Sequence, residues 1–226
     1  ARKMLVLEGC VQPTLAPSIN AATARLLDRC GISLIKSEQA GCCGALDYHL
    51  NQHESGLNYM RRNIDAWWPH VEAGVEAIVI TASGCGATVK EYGHLLRRDP
   101  RYKDKAARVS TLMRDIAEVV TQERDKLIGL AQAASTSVKR RLAFHPPCSL
   151  QHGLKLRDVV EPLLKATLLD TGGNPVGTVI FKGKSAIVSR IEVRLRAETP
   201  STSMRWPRYA SAFGRPSRSC SRTTRC

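Results

Sequence analysis

Apolar positions along this chain follow two alternating rhythms. Residues 3–7 (Lys-Met-Leu-Val-Leu), 32–35, 75–80 and 141–144 are short, nearly continuous apolar runs, the pattern of strands buried on both faces. Between them the spacing changes to three and four. Ile19, Ala22, Leu26, Leu27 and Cys30 fall on one helical face, with Ser18 as the expected N-cap and Gly31 as the stop. Leu57, Met60, Ile64 and Trp67 or Trp68 mark a helix over residues 51–68, closed by Pro69 and Gly74. Pro13 and Pro17 make residues 11–17 a loop. Further helices are predicted over residues 87–97 and 112–120, with Asp99-Pro100 breaking the chain between them. Strand, loop and helix thus recur three times, which argues for an α/β fold on a parallel sheet. In such a sheet the loops that leave the strand C-termini share one edge, where sites form.

The same pattern starts again later. Residues 131–137 are a connector of small residues. Beyond them Leu142-Ala143-Phe144-His145-Pro146-Pro147-Cys148 repeats the order of Leu5-Val6-Leu7-Glu8-Gly9-Cys10: strand, loop, cysteine. A helix follows, with Leu156, Val159, Val160, Leu163 and Leu164 as its apolar positions. The offset is about 138 residues. It predicts a second Cys-Cys-Gly near residue 180, where Val179-Ile180-Phe181-Lys182-Gly183 has none. Past residue 166 the chain turns rich in Arg, Ser, Thr and Pro and loses its helical period. Because the repeat stops in mid-pattern, we read this tail as the product of a shifted reading frame in preference to a basic arm. Three segments follow: residues 1–135 as a first cysteine-rich domain, 136–166 as the start of a second repeat, and 167–226 as a basic tail of low order.

Charge sharpens that division. The net charge of the 226 residues is +14, and residues 171–226 carry +9 of it. The remainder is not the uniformly basic surface of a nucleic-acid-binding protein, so no nucleic acid is expected as a partner. No run of 18 apolar residues occurs, so no transmembrane helix is expected. The N-terminal apolar run is too short for a signal peptide, which places the protein in the cytoplasm. The chain begins with Ala1 and not Met, as a piece of a longer polypeptide would.

Eight cysteines in such a chain point to metal or redox chemistry more than to disulfides. Cys10, Cys42, Cys43, Cys85 and Cys148 lie beside Gly or Pro in predicted loops. Cys30 lies on a helix face and reads as core packing. Cys220 and Cys226 lie in the tail. Cys10 precedes Cys42 by 32 residues and Cys85 follows Cys43 by 42. Four thiolates on three loops suit an iron–sulfur site, with glycines letting the backbone approach closely. Two other readings stand beside it: a redox-active vicinal disulfide at Cys42-Cys43, and cysteines that only pack. Zinc sites favour close Cys pairs two to four residues apart, which are missing here. A Cys–His nucleophile built on Cys10 with His49 or His53 lacks an orienting third residue, and both histidines read as solvated helix surface. Phosphate-binding glycine motifs are absent, and Trp67-Trp68 reads as core.

The motifs also carry a resemblance. Cys10, Cys42-Cys43-Gly44 and Cys85 resemble the cysteine-rich CCG domain found in heterodisulfide reductases and in related dehydrogenase subunits. Longer strings resemble the iron–sulfur subunits of bacterial glycolate oxidase (glycolate dehydrogenase): Leu7-Glu8-Gly9-Cys10-Val11-Gln12-Pro13, Ala40-Gly41-Cys42-Cys43-Gly44-Ala45-Leu46-Asp47-Tyr48-His49, Asn63-Ile64-Asp65-Ala66-Trp67-Trp68-Pro69, Thr81-Ala82-Ser83-Gly84-Cys85-Gly86 and His145-Pro146-Pro147-Cys148. The resemblance covers about residues 3–166. It implies an electron-transfer subunit that is not itself catalytic and is inactive alone. A flavoprotein partner carrying FAD would oxidise glycolate to glyoxylate. The iron–sulfur subunit would pass the electrons to a membrane acceptor from a place peripheral to the inner membrane. It implies a [4Fe–4S] cluster held by Cys10, Cys42, Cys43 and Cys85, with Cys148 as a cofactor-binding residue of the second repeat. The chain departs from the family pattern in three ways. It has no ferredoxin-type Cys motif, no second Cys-Cys-Gly, and Ala82 where the heterodisulfide reductase relative has the first Cys of a C-x-x-C. Subunits of lactate-utilisation or heterodisulfide reductase type, or a docking scaffold with structural cysteines, are the alternatives.

Overall fold

The computed structural model describes residues 2–133, 140–167 and 177–181. In chain order the first part comprises β1 (Arg2–Leu7), α1 (Gln12–Leu15), α2 (Ser18–Arg29), β2 (Ile32–Lys36), α3 (Ala45–His49), α4 (His53–Glu72) and β3 (Ile78–Ile80). It continues through α5 (Ser83–Lys90), α6 (Tyr92–Leu95), α7 (Lys103–Leu112), β4 (Met113–Asp115), α8 (Ile116–Gln122) and α9 (Arg124–Ala133). The second part holds β5 (Arg140–Phe144), a π-helical turn (Ser149–Gly153), α10 (Val160–Thr167) and β6 (Gly177–Phe181).

The strands β1 to β4 form one parallel sheet in the order β2-β1-β3-β4. This is the α/β architecture expected from the alternation of runs. Met4, Leu5, Val6 and Leu7 are all buried, because β1 lies centrally with helices on both faces. Alternate residues serve opposite layers. Leu5, Leu7, Ile78 and Ile80 pack with Met60, Ile64 and Trp67 of α4 and with Val89, Tyr92 and Val109 of α5 to α7. Met4, Ile32 and Val79 pack with Leu27 of α2, Cys30 just beyond it, Val119 of α8 and Leu127 of α9. A fully buried aliphatic side chain in these layers contributes about 2 kcal/mol.

Several local expectations are corrected. On α2 the buried residues are Asn20, Thr23 and Leu27, while Ile19 and Leu26 are 42% and 37% exposed and Ala22 faces outward. The helix is rotated because Asn20 is drawn inward to hold a loop. Pro17, not Ser18, occupies the N-cap position, and the 11–17 loop contains the short α1. Pro69 lies inside α4 without ending it; it falls in the last turn, and Gly74 at φ +83° makes the turn out. The strand over 75–80 is limited to Ile78–Ile80. The helix over 87–97 is two helices, α5 and α6, and the first begins early enough to contain Cys85. The helix over 112–120 is divided: Met113–Asp115 is β4, paired with β3, and α8 begins only at Ile116. Beyond Cys148 the chain makes a π-helical turn before α10.

β5 and β6 form a separate parallel pair with Phe144 opposite Phe181. Residues 182–226, with Cys220, Cys226 and most of the expected basic tail, lie outside the described residues.

Candidate functional site

The strand order reverses between β1 and β3, so the chain leaving β1 passes to one face and the chain leaving β3 to the other. Cys10 follows β1 and Cys85 follows β3, one on each side of that switch point. Cys42 and Cys43 follow β2, beside β1.

Each loop is held by polar groups from elsewhere. After β1, Gly9 takes a φ of +77° and presents Cys10 at the surface. Asn20 of α2 donates to the Glu8 carbonyl at 3.4 Å and accepts from the Thr81 hydroxyl at 2.7 Å, tying the loops after β1 and β3 together. Lys36 and Glu8 form a 2.7 Å ion pair between the ends of β2 and β1.

The Gly41–Gly44 segment is held more tightly. Asn63, fully buried on α4, accepts from the Gly41 N–H at 2.9 Å and donates to the Cys42 carbonyl at 2.8 Å. Tyr92, at the start of α6, donates to the Cys43 carbonyl at 2.8 Å. Gly44 has a φ of +85°, and a Cβ on it would stand 2.5 Å from the Gly56 carbonyl oxygen of α4. Only glycine meets both demands, so the third residue of Cys-Cys-Gly is fixed by packing as well as by backbone conformation. Cys85 occupies the first turn of α5, not a loop. Gly84 and Gly86 cost that helix about 1 kcal/mol each relative to alanine. Packing offsets this: a Cβ on Gly86 would lie 2.5 Å from Cε of Met113, so β4 and α5 meet at that point.

The structure brings four of the five candidate thiols together. Cys42 is hydrogen-bonded to Cys10, and Cys43 to Cys85. The hydrogen bond from Cys85, helped by the N–H groups of Ala45 and of Cys43 itself, holds the Cys43 thiol down at about 6 despite its burial. Cys85 is pushed well above the ordinary thiol range because it is the donor to Cys43 and is itself buried. Burial pushes Cys42 up to about 11, against a 3.4 Å N–H···S contact from Gly44. The pocket of sulfur therefore concentrates its negative charge on Cys43, with peptide N–H groups turned towards it.

Cys148 stands apart. It is exposed and precedes the π-helical turn, whose Ser149 hydroxyl lies 2.6 Å from that of Ser83. The turn packs on α5, with Leu154 near Gly86, but Cys148 is not among the groups acting on Cys42, Cys43 or Cys85. Cys30 is 2% exposed and belongs to the core. His53 is exposed and bonded to Asn51 at 2.7 Å, a surface role.

Among the described residues no three His, Cys, Asp or Glu side chains converge on a single ion. The thiols instead pair two by two around the strand ends. An all-sulfur donor set against an apolar wall that includes Leu7 and Ile80 fits soft, thiolate-held iron and not a hard oxygen-ligated cation. Three residues of this site carry no cysteine-like mark in the sequence: Asn20, Asn63 and Tyr92. Asn63 does leave a signal, since it is a polar residue three after Met60 and four before Trp67 on the face that packs inward.

Residues 4–90 match the cysteine-rich domain family, CCG. The chain is 55% identical over 163 residues to the glycolate oxidase iron–sulfur subunit of Escherichia coli (strain K12), covering 72% of this chain and 39% of that protein. It is 32% identical over 122 residues to the probable glycolate oxidase iron–sulfur subunit of Bacillus subtilis (strain 168), covering 54% of this chain and 27% of that protein. Lactate utilization protein A of Bacillus licheniformis is 23% identical over 156 residues, 69% of this chain and 61% of that protein. The chain thus spans about two-fifths of the length of the E. coli relative. Residues 4–90 are thus similar to the cysteine-rich CCG domain family, in a chain similar over most of its length to a glycolate oxidase iron–sulfur subunit.

Proposed function

We propose that this chain is the cysteine-rich part of an electron-relay subunit of a glycolate oxidase. Cys10, Cys42, Cys43 and Cys85 hold a [4Fe–4S] cluster. The observation that carries this reading is the meeting of four thiols from three strand ends at the sheet's switch point, with N–H donors turned to the sulfurs. Such a cluster supplies one-electron transfer when bound. The protein's own share is to supply sulfur ligands, to exclude water with Leu7 and Ile80, and to set the surrounding dipoles. Electrons come from a flavoprotein partner that carries FAD and oxidises glycolate to glyoxylate, and pass to a membrane acceptor. The subunit works in the cytoplasm, peripheral to the membrane; no helix among the described residues is long and apolar enough to cross one. A second repeat begins at β5, whose parallel pairing with β6 parallels that of β1 with β2. The tail beyond it is a shifted reading frame, which resequencing the gene tests: the correct frame restores a second Cys-Cys-Gly.

The test of the cluster is anaerobic reconstitution of the full chain with iron and sulfide, counted per chain. Close to four irons with sulfur-to-iron charge-transfer absorbance is the expected result. Less than about one iron per chain and no such absorbance overturns the assignment. A second reading draws on the exposed Val11, Leu15, Leu46 and Leu50, which lie on and beside the helices that follow Cys10 and Cys43. Here the domain is a docking scaffold and the cysteines are structural. A Cys42→Ser, Cys43→Ser chain that still co-purifies with its flavoprotein but transfers no electrons decides against it.

A further inference from the structure

Asn63 and Tyr92 sit in the apolar layer between the sheet and α4, both at 0% exposure. A buried amide or hydroxyl costs about 1–3 kcal/mol wherever it goes unpaired. Neither is unpaired. The Asn63 side chain accepts from the Gly41 N–H and donates to the Cys42 carbonyl and, at 3.2 Å, to the Tyr92 hydroxyl. The Tyr92 hydroxyl in turn donates a hydrogen bond to the Cys43 carbonyl. Two side chains from two helices therefore bind three consecutive residues of the cysteine loop. The run of donors from Gly41 through Asn63 and Tyr92 to Cys43 points in one direction, so each bond polarises the next.

The consequence lies on the opposite side of those peptides. In a trans peptide the C=O and N–H point in opposite directions. With the Cys42 and Cys43 carbonyls turned into the layer, the N–H groups of Cys43 and Gly44 must turn outward, to the sulfurs. They do so: Gly44 N–H reaches Cys42 Sγ at 3.4 Å, and the Cys43 N–H acts on its own sulfur.

We propose that Asn63 and Tyr92 are positioning residues that fix the Cys42–Cys43 and Cys43–Gly44 peptide planes and so aim two N–H dipoles at the sulfur site. Their effect on a bound cluster rests on the function proposed above; their effect on the loop does not. N–H donors to cluster sulfur favour the reduced, more negative state. The clamp thus makes the site easier to reduce, through residues that never touch the metal.

The test uses the full chain with Tyr92→Phe, which keeps the ring and removes the hydroxyl, and with Asn63→Asp, which keeps the shape and an acceptor. In the metal-free protein, amide hydrogen exchange at Gly41, Cys43 and Gly44 is read first. The expected result is faster exchange at Cys43 in Asn63→Asp, which loses the donor to the Cys42 carbonyl but keeps the acceptor for the Gly41 N–H, and at Gly44 in Tyr92→Phe, by about 10-fold or more, with Gly41 and the remaining core amides unchanged. In reconstituted protein, iron per chain is expected to stay near wild type in Tyr92→Phe. At one fixed reductant poise the ratio of reduced to oxidised cluster is expected to fall by about threefold or more. A role in stability alone lowers the melting temperature and leaves that ratio unchanged. Unchanged exchange in both variants overturns the clamp; unchanged exchange in one overturns that residue's share. Altered exchange with an unaltered ratio overturns its electrostatic effect. If the wild type itself takes up no iron, the cluster assignment fails while the exchange result still decides the clamp.

Discussion

Cys85, in the first turn of α5, donates a hydrogen bond to Cys43, beyond the end of β2, and that bond divides the pair into a donor thiol and an acceptor thiolate. Cys43 is held at about 6, far below an ordinary thiol, and Cys85 is pushed up. The metal-free protein is therefore expected to carry one thiolate at this site at neutral pH. Cys85→Ala removes the donor and leaves Cys43 buried, so its titration moves to higher pH. Thiolate absorbance followed against pH in the anaerobic, metal-free chain measures this. The wild type shows a step near pH 6 that Cys43→Ser abolishes, and Cys85→Ala shifts it up by at least about one pH unit. A step that stays in place in Cys85→Ala would mean that the N–H groups of Ala45 and Cys43 suffice.

Gly44 and Gly9 both have positive φ, at +85° and +77°, but their surroundings differ. A Cβ on Gly44 meets the Gly56 carbonyl at 2.5 Å, whereas a Cβ on Gly9 meets nothing within 4 Å. Left-handed strain alone costs an alanine about 1–2 kcal/mol. Gly9→Ala is expected to lose about that much. Gly44→Ala adds a clash of two backbones, which α3 and α4 can relieve only by moving apart, and should lose about 2–4 kcal/mol. Urea denaturation of both variants gives the comparison, and equal losses would refute the close α3–α4 approach as the reason for this glycine.

The central strands are legible in the sequence because burial on both faces writes continuous apolar runs, as in residues 3–7. The cysteine loops are legible because Gly and Pro mark strand ends. What escapes is whatever depends on nonlocal contact. β4 is three residues long and owes its existence to pairing with β3, which leaves no periodic trace in Met113-Arg114-Asp115. Cys85 looks like a loop residue because Ser83, Gly84 and Gly86 surround it. The helix there is stabilised from outside, by Met113 over Gly86 and by Val89 in the core. The inward face of α2 is hidden from apolar spacing because Asn20 and Thr23 are buried for their hydrogen bonds to Glu8, Thr81 and Ile19, while Ile19 and Leu26 are left outside. Periodicity counts apolar residues and passes over polar ones that build a site.

Cys148 separates the two ligand sets that the sequence suggests. It stands at the start of the turn beside Ser83 and is not among the groups acting on Cys42, Cys43 or Cys85. Cys148→Ser should therefore keep the wild-type iron count and spectrum after reconstitution. Cys85→Ser, changing a residue paired with Cys43, should lose most of the iron or leave a cluster of altered spectrum. Iron and sulfide assays on the two variants, prepared side by side, check this. Loss of iron in Cys148→Ser would draw the second repeat into the first site.

Asp115 ends β4 on the same sheet edge and is 3% exposed. Its Oδ1 accepts from the Ala117 N–H at 2.9 Å, and Glu118 returns a bond to the Asp115 N–H at 2.9 Å, a capping box at the start of α8. Burial, with Glu118 nearby, raises its carboxyl from 3.8 to about 6. A raised folded-state value means that the protonated form is favoured on folding. The associated stability is complete below pH ~4, is lost as pH rises through about 6, and amounts to at most about 3 kcal/mol. Asp115→Asn keeps the cap acceptor and has no proton to lose. It should flatten the fall in stability between pH 4 and 6 and equal or exceed the wild type at pH 7, whereas Asp115→Ala should show the same flat profile about 1 kcal/mol below Asp115→Asn at every pH through loss of the cap. Chemical denaturation of the three proteins at pH 4, 5, 6 and 7 tests the sign. An Asn variant whose stability still falls across that interval as steeply as wild type would assign the slope to another group.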